Sequence, residues 1–403
     1  MYKIPSNIEK KGFWNVDGLE NKNVFLRSCL NVSVDKYGNL LDESRLKESI
    51  QSIVELAFKS KSLIVCGHLG RPKSCEQNLS FKKNVLPWIT ENLNSKGFNV
   101  IFAESLSDIP PKDQRNKSNI YLLENIRFFK GEESNDRKEM IKFAESLAET
   151  SDIFVNDAFA DYRVSASTYE IAKLLPSYIG RSFMKEIEAL SKFYDPPRPF
   201  LCVLGGAKLS EKLEFLTTLA EISDKVLIGG AMAYTLLKAK GINIGKSLYE
   251  EDKVSLAREL IKKHSQKMLL PVDHVISLEF SHSSQVTVTK SAEVPNEYFA
   301  IDIGPKTLEK YLEEISNAKS ILWNGPMGVY EWPQSSTGTS QIGESIVKNK
   351  EAFKLAGGGD TIAAINMFSL SGFDHISMGG GAMLVFFSCD KFDTIDVIVN
   401  QYS

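Results

Sequence analysis

The chain has 403 residues, 43% of them hydrophobic, which is too long for one ordinary core and points to two domains. Its 48 Lys+Arg nearly balance 51 Asp+Glu, leaving a net charge of −3, so neither nucleic acid nor a membrane surface is expected as a partner. Five scattered cysteines (Cys29, Cys66, Cys75, Cys202, Cys389) lack CxxC spacing, which argues against a cysteine-bound metal and for a reducing, cytoplasmic compartment. The start "MYKIPSNIEKKGFW" has no apolar core of signal-peptide length. No apolar stretch approaches the roughly 20 residues of a membrane span.

One unit recurs in chain order: a short β-rich run, a Gly-rich or polar break, then a longer amphipathic segment. The runs with their breaks are "SLIVCGHLGRP", "NIYLLENIRFF", "DIFVNDAFADYR", "PFLCVLGGAKLS", "KVLIGGAMAY", "SILWNGPMGVYE", "FKLAGGGDT" and "HISMGGGAM". Strands alternating with helical patterns predict α/β architecture, with parallel sheets covered on both faces. Ligands of such sheets sit beyond the carboxyl ends of the strands, so the breaks are the candidate sites. Between the halves, "RSFMKEIEALSKFYDPPRPF" predicts a junction helix ended by Pro196 and Pro197. The expected fold is two doubly wound parallel-sheet domains, Rossmann-like in type, joined by a hinge helix. The boundaries are 1–183, a hinge at 184–198, then 199–390, with a tail at 391–403 returning to the first domain.

The first-half breaks carry cations: His68 and Arg71, then Arg127, then Arg163. Arginine suits bidentate recognition of carboxylate or phosphate, so cations after three strands predict an anionic small-molecule ligand. The second-half breaks carry glycines with Lys208 and Lys212. Gly-rich strand-to-helix turns let backbone N–H groups approach phosphate. In "GGGDT", Asp360 is either an oxygen ligand for magnesium or, with Thr361, a helix cap. Lys208 and Lys212, four apart, can share one face where a helix begins and would need an anion to offset their repulsion. "GINIGKS" (241–247) imitates a Walker phosphate loop, but only three residues separate Gly241 from Gly245, and it is discounted.

Ten stretches together resemble the phosphoglycerate kinase family over nearly the whole chain. They are "DESRL" (42–46), "GHLGRP" (67–72), "LLENIRF" (122–128), "VNDAF" (155–159), "LGGAKLSEK" (204–212), "GGAMAYT" (229–235), "LPVDHV" (270–275), "WNGPMGVYE" (323–331), "AGGGDT" (356–361) and "SMGGGA" (377–382). The resemblance implies reversible phosphoryl transfer between 1,3-bisphosphoglycerate and ADP, giving 3-phosphoglycerate and ATP with Mg2+. It also implies a monomer that bends at a hinge, with Glu186 matching a hinge-linked position. Asn31, Arg45, His68, Leu69, Gly70, Arg71, Arg127 and Arg163 would hold the triose, with Arg45 the catalytic arginine. Lys208 would contact the transferred group and Lys212 the nucleotide phosphates. Gly206, Gly230, Asn324, Pro326, Glu331, Gly358, Gly359, Asp360 and Thr361 would hold the nucleotide. Gly358 would also face the transferred group, and Asp360 would bind the metal. The second triplet, 379–381, would support the same site.

Three departures stand out. "RSCLNVS" has Cys29 where the family has an aspartate that accepts the substrate hydroxyl, so triose binding is expected to be weakened and Cys29→Asp to restore it. After "VNDAF", Tyr162 and Ser165 replace the family's histidines around Arg163 and the segment is one residue shorter, while Met378 replaces a threonine. The alternative to an active kinase is a non-catalytic or substrate-shifted relative that keeps the fold and nucleotide site.

Overall fold

The apolar runs form strands because both faces of each strand are covered, which tolerates unbroken β-branched sequence. The computed structural model describes residues 1–401. The chain divides into two compact units, one spanning Tyr2–Leu190 plus the chain from Asp390 on, the other Ser191–Cys389.

The first unit contains β1 (Asn23–Ser28), β2 (Ser62–Cys66), β3 (Asn99–Ala103), β4 (Asn119–Leu123), β5 (Ile153–Asp157) and β6 (Ser177–Ile179). Their order is β3-β4-β2-β1-β5-β6, and every pairing is parallel. The chain thus starts in the middle of the sheet, winds towards one edge, and returns to the other side of β1. Val24, Leu26, Leu63, Val65, Leu122 and Val155 pack against Leu46, Ile53 and Leu56 of helix Ser44–Lys59 and against Phe81, Val85 and Ile89 of helix Phe81–Asn94.

The second unit repeats the plan with β7 (Phe200–Leu204), β8 (Lys225–Ile228), β9 (Met268–Leu269), β13 (Ser320–Asn324), β14 (Phe353–Gly357) and β15 (His375–Ser377). The order is β15-β14-β13-β7-β8-β9, again all parallel. All eight runs singled out in the sequence are strands of these two sheets. A three-stranded antiparallel sheet of β10 (His274–Ser277), β11 (Val286–Val288) and β12 (Phe299–Ile303) was not anticipated. All three residues of β11 are exposed, and the longer, largely buried β12 (FAIDI) has Asp302 within its run, so the sheet shows no uniform apolar signature. No helix among the described residues is long and apolar enough to cross a membrane.

The C-terminal helix Asp393–Val399 belongs to the first unit. Phe392 stacks on Phe159 with ring centroids 5.4 Å apart, and the Tyr2 hydroxyl donates to Asp396 Oδ1 at 2.7 Å. Gln401 accepts from the Ser177 N–H at 2.9 Å and donates to the Leu175 carbonyl at 2.8 Å. Phe392→Ala removes a fully buried ring and should destabilise this unit by about 3–5 kcal/mol in urea unfolding. A loss below about 1 kcal/mol would show that this ring does not anchor the helix.

Candidate active site

In each sheet the winding reverses beside the first strand, between β1 and β5 in one unit and between β7 and β13 in the other. A doubly wound sheet opens a crevice at that point, because consecutive crossovers leave to opposite sides.

In the first unit the loops after β1, β2 and β5 meet there. Arg45 lies in the first turn of helix Ser44–Lys59, where a cation opposes the helix dipole, and its guanidinium donates to the Asn31 carbonyl. Asn31 Oδ1 accepts from the Gly70 N–H at 2.9 Å, and Arg127 donates to the Gly70 carbonyl at 2.6 Å. Arg127 also pairs with Glu133 at 2.6 Å. His68 is buried, whereas Arg71 and Arg163 are exposed on neighbouring loops. Leu69 turns its side chain into the core and offers the crevice only backbone.

Four residues of this crevice, Arg27, Asp161, Ser167 and Glu132, escaped the sequence analysis. Arg27, at the end of β1, is buried and donates to Asp161 Oδ2 at 2.9 Å. The same oxygen lies 3.1 Å from His68 Nδ1. A hydrogen on that nitrogen makes Oδ2 the common acceptor of both donors. Burial opposes ionisation of Asp161, but His68 and Arg27 outweigh it and hold the carboxyl well below the usual carboxylate range. On its other edge Arg27 donates from Nε to Ser167 at 2.9 Å, and Ser167 donates on to Glu132 Oε1 at 2.6 Å. Burial pushes the Glu132 carboxyl up to about 7. Arg27 stands in the quoted stretch "RSCLNVS", so a cation just before a strand's carboxyl end was the available signal. The Cys29 thiol is buried, and burial pushes it up to about 11 against the charges of Arg45 and Arg27.

In the second unit the crevice is built from backbone. Gly206 has φ +112° and donates to the Pro326 carbonyl at 3.1 Å, while Gly230 has φ +65° and donates to the Met327 carbonyl at 2.7 Å. Gly358 has φ +101°, and a Cβ there would meet Asn324 Nδ2 at 2.8 Å. A Cβ on Gly359 would meet nothing within 4 Å, so that position faces open space. The second triplet supports the first: a Cβ on Gly380 would lie 3.0 Å from Gly358 Cα. Asn324 donates to the Gly357 carbonyl at 2.7 Å, while its Oδ1 is buried with no hydrogen-bond partner.

The helix after this triplet, Gly359–Met367, has Gly358 as its N-cap and no side-chain cap. Asp360 therefore does not cap it, and Thr361 instead accepts the Gly325 N–H at 2.7 Å. Lys208 and Lys212 do not share the start of a helix, which begins only at Leu213. Lys212 points inward to the carbonyls of Gly205 at 2.7 Å and Asn324 at 3.1 Å, and burial pushes it down to about 8. Lys208 is exposed, 3.6 Å from Glu211. The intervening residues form a turn in which Leu209 is buried, so Lys212 turns inward while Lys208 stays exposed.

A cleft of about 460 Å³ adjoins these residues. Tyr234, Leu248, Phe280, Met327 and Val329 give it apolar walls, and Gly206, Gly230, Pro326, Glu331 and Asp360 line it as well. Lys246 and Ser247 of "GINIGKS" also reach it, although that stretch follows a helix and is no strand-to-helix phosphate loop. An apolar pocket continuous with a glycine-lined end suits a planar base carrying phosphates.

A family model described as phosphoglycerate kinase matches residues 15–390. The chain belongs to the phosphoglycerate kinase family. It is 39% identical to a phosphoglycerate kinase of Dictyoglomus turgidum, covering 96% of this chain and 97% of the relative. A phosphoglycerate kinase of Koribacter versatilis is 38% identical over 95% of this chain and 98% of its own. The solved phosphoglycerate kinase structure from Coxiella burnetii matches with a TM-score of 0.85 at 32% identity, over 97% of this chain and 99% of the other. The structure from Pyrococcus horikoshii gives 0.81 at 29% identity, over 96% and 98%. Phosphoglycerate kinases are phosphotransferases with a carboxyl group as acceptor, and this chain is an enzyme of that class.

Gly230→Ala tests the backbone construction. The added Cβ would lie 2.4 Å from the Gly206 nitrogen at a φ that disfavours side chains. Thermal unfolding should show a loss of about 1–3 kcal/mol, as for an overpacked site. An unchanged melting temperature would mean that the Gly206 and Gly230 turns are not held in contact.

Proposed function

We propose that the first unit binds 3-phosphoglycerate, the second binds ATP or ADP, and the enzyme moves the terminal phosphoryl group reversibly between ATP and the triose carboxylate. The observation that carries this is the pairing of crevice chemistries in a chain of this family. One switch point gathers Arg27, Arg45, His68 and Arg127, and the other exposes glycine backbone beside Lys212 and Asp360.

Phosphoryl transfer asks little covalent work of a protein. Positioning and stabilisation of charge on the moving oxygens dominate. Asn31, His68, Arg71, Arg127, Arg163 and the Leu69–Gly70 backbone hold the triose anion. Arg45, whose guanidinium donates to the Asn31 carbonyl, stabilises charge at the transferring group. Lys208, paired only with a solvent-exposed glutamate, extends to the same group. The Gly358 and Gly359 N–H groups lie at a helix start and receive phosphate oxygens, while Lys212 contacts the nucleotide phosphates. Gly206, Gly230, Asn324, Pro326 and Thr361 shape the nucleotide pocket, and Glu331 meets the ribose.

The donor set fits magnesium. Among the described residues no cluster of three or more His, Cys, Asp or Glu forms an all-protein metal cage. Asp360 stands alone at the glycine-lined end of the cleft, and magnesium is commonly held by one carboxylate and substrate phosphates. When bound, the ion would neutralise charge on the nucleotide phosphates. The buried Glu186 lies in helix Arg181–Ser191, which leads into the second unit, and matches a hinge-linked position of the family. The free cysteines agree with a cytoplasmic setting, and the enzyme acts as a monomer.

A coupled assay with 3-phosphoglycerate and MgATP tests the activity directly; no turnover would refute it. Arg45→Ala should lower kcat by about 10²–10³ and leave nucleotide affinity nearly unchanged. Retained turnover would remove Arg45 from the mechanism. Asp360→Asn should weaken MgATP much more than metal-free ATP in calorimetry, because the carboxylate acts through the ion. Equal losses would make Asp360 a structural residue.

A further inference from the structure

A ligand that carries a hydroxyl between two anionic ends needs an acceptor in a crevice otherwise furnished with cations. Few groups there have capacity left. Asp157 is occupied by the Phe183 N–H at 3.1 Å and the Ser182 hydroxyl at 3.0 Å. Glu132 is occupied at Oε1 by Ser165 and Ser167 and at Oε2 by the Ser167 N–H at 3.0 Å. Asn31 Oδ1 is taken by Gly70. The Cys29 thiol is a weak acceptor.

Asp161 differs. Its Oδ2 receives Arg27 and lies 3.1 Å from His68 Nδ1, and its Oδ1 has no hydrogen bond among the described residues. Its side chain is 11% exposed, enough for a bound molecule to reach. β5 pairs with β1 in register at Arg27↔Asn156 and Ser28↔Asp157, so the loop carrying Asp161 leaves the sheet beside the loop carrying Cys29. That loop is the segment one residue shorter than the family pattern.

We propose that Asp161 reads the C2 hydroxyl of the triose through Oδ1, while Oδ2 keeps Arg27 and His68 in place, so that the duty Cys29 cannot perform is carried from the neighbouring strand. The proposal rests on the phosphoglycerate kinase reading and deepens it. It also changes the expectation attached to Cys29. With Asp161 present, Cys29→Asp sets two like charges in one crevice, each disfavouring the other, and gains nothing.

The test is steady-state kinetics with 3-phosphoglycerate and with 3-phosphooxypropionate, the same molecule without the C2 hydroxyl. Asp161→Asn should raise KM for 3-phosphoglycerate about 10- to 100-fold, with most of the effect in KM rather than kcat. With the analogue, wild type and Asp161→Asn should differ by less than about threefold, because no hydroxyl is there to be read. Cys29→Asp alone should not lower KM. Asp161→Asn combined with Cys29→Asp should recover most of the lost affinity, and this variant carries the test if Asp161→Asn alone fails to fold. An unchanged KM in Asp161→Asn, an equal loss with both molecules, or no recovery in the folded double variant would each overturn the role of Asp161. A wild type that turns over neither molecule would instead overturn the kinase reading, and this proposal with it.

Discussion

Both crevices exist because the first strand of each sheet pairs on both sides with parallel partners from different stretches of chain. β1 is flanked by β2 and β5, and β7 by β8 and β13. Parallel neighbours require long crossovers, and crossovers that leave to opposite sides open a gap above the strand they share. Arg27 and Asn31 in one unit, and Gly205 and Gly206 in the other, stand at the edge of that gap because they end or directly follow the shared strand. Were β5 to pair elsewhere, Asp161 would lose contact with His68 and Arg27 although every helix could still form.

The two crevices handle anions by different physics. The second uses backbone N–H groups, which carry no net charge and cost little to desolvate, so its walls can be mostly apolar. The first uses full charges in a buried setting. A buried ion pair such as Arg27 with Asp161 is a weak source of stability, because desolvation offsets much of the attraction. Its value lies in holding two donors at fixed positions, with the Ser167–Glu132 relay fixing the other edge of the guanidinium.

Much of this was legible in the sequence, since eight apolar runs with polar or glycine breaks were enough for the two sheets and the location of both crevices. Each break carries its chemistry within a few residues of its strand. What escaped depends on contacts between distant segments. Asp161 looks like an ordinary loop aspartate until β5 is laid beside β1. Arg27 lies in a strand, where a charged residue is easily taken for a surface position. The lysines of "GGAKLSEK" were placed together by helical spacing, but the helix starts after both, so their side chains diverge. The antiparallel sheet escaped because β11 is exposed throughout and the run of β12 is broken by Asp302.

The docking of Phe392 and helix Asp393–Val399 on the first unit has a consequence for how the protein is made. The first unit gains this helix only after the whole of the second unit has been synthesised. Between Leu190 and Asp390 the ribosome must deliver roughly 200 residues, which at 5–20 residues per second takes about 10–40 seconds. During that interval the surface around Phe159 waits uncovered while the second unit is being delivered. The emerging first unit is thus exposed to chaperones or to wrong partners for far longer than its own folding would require, until helix Asp393–Val399 arrives to cover it.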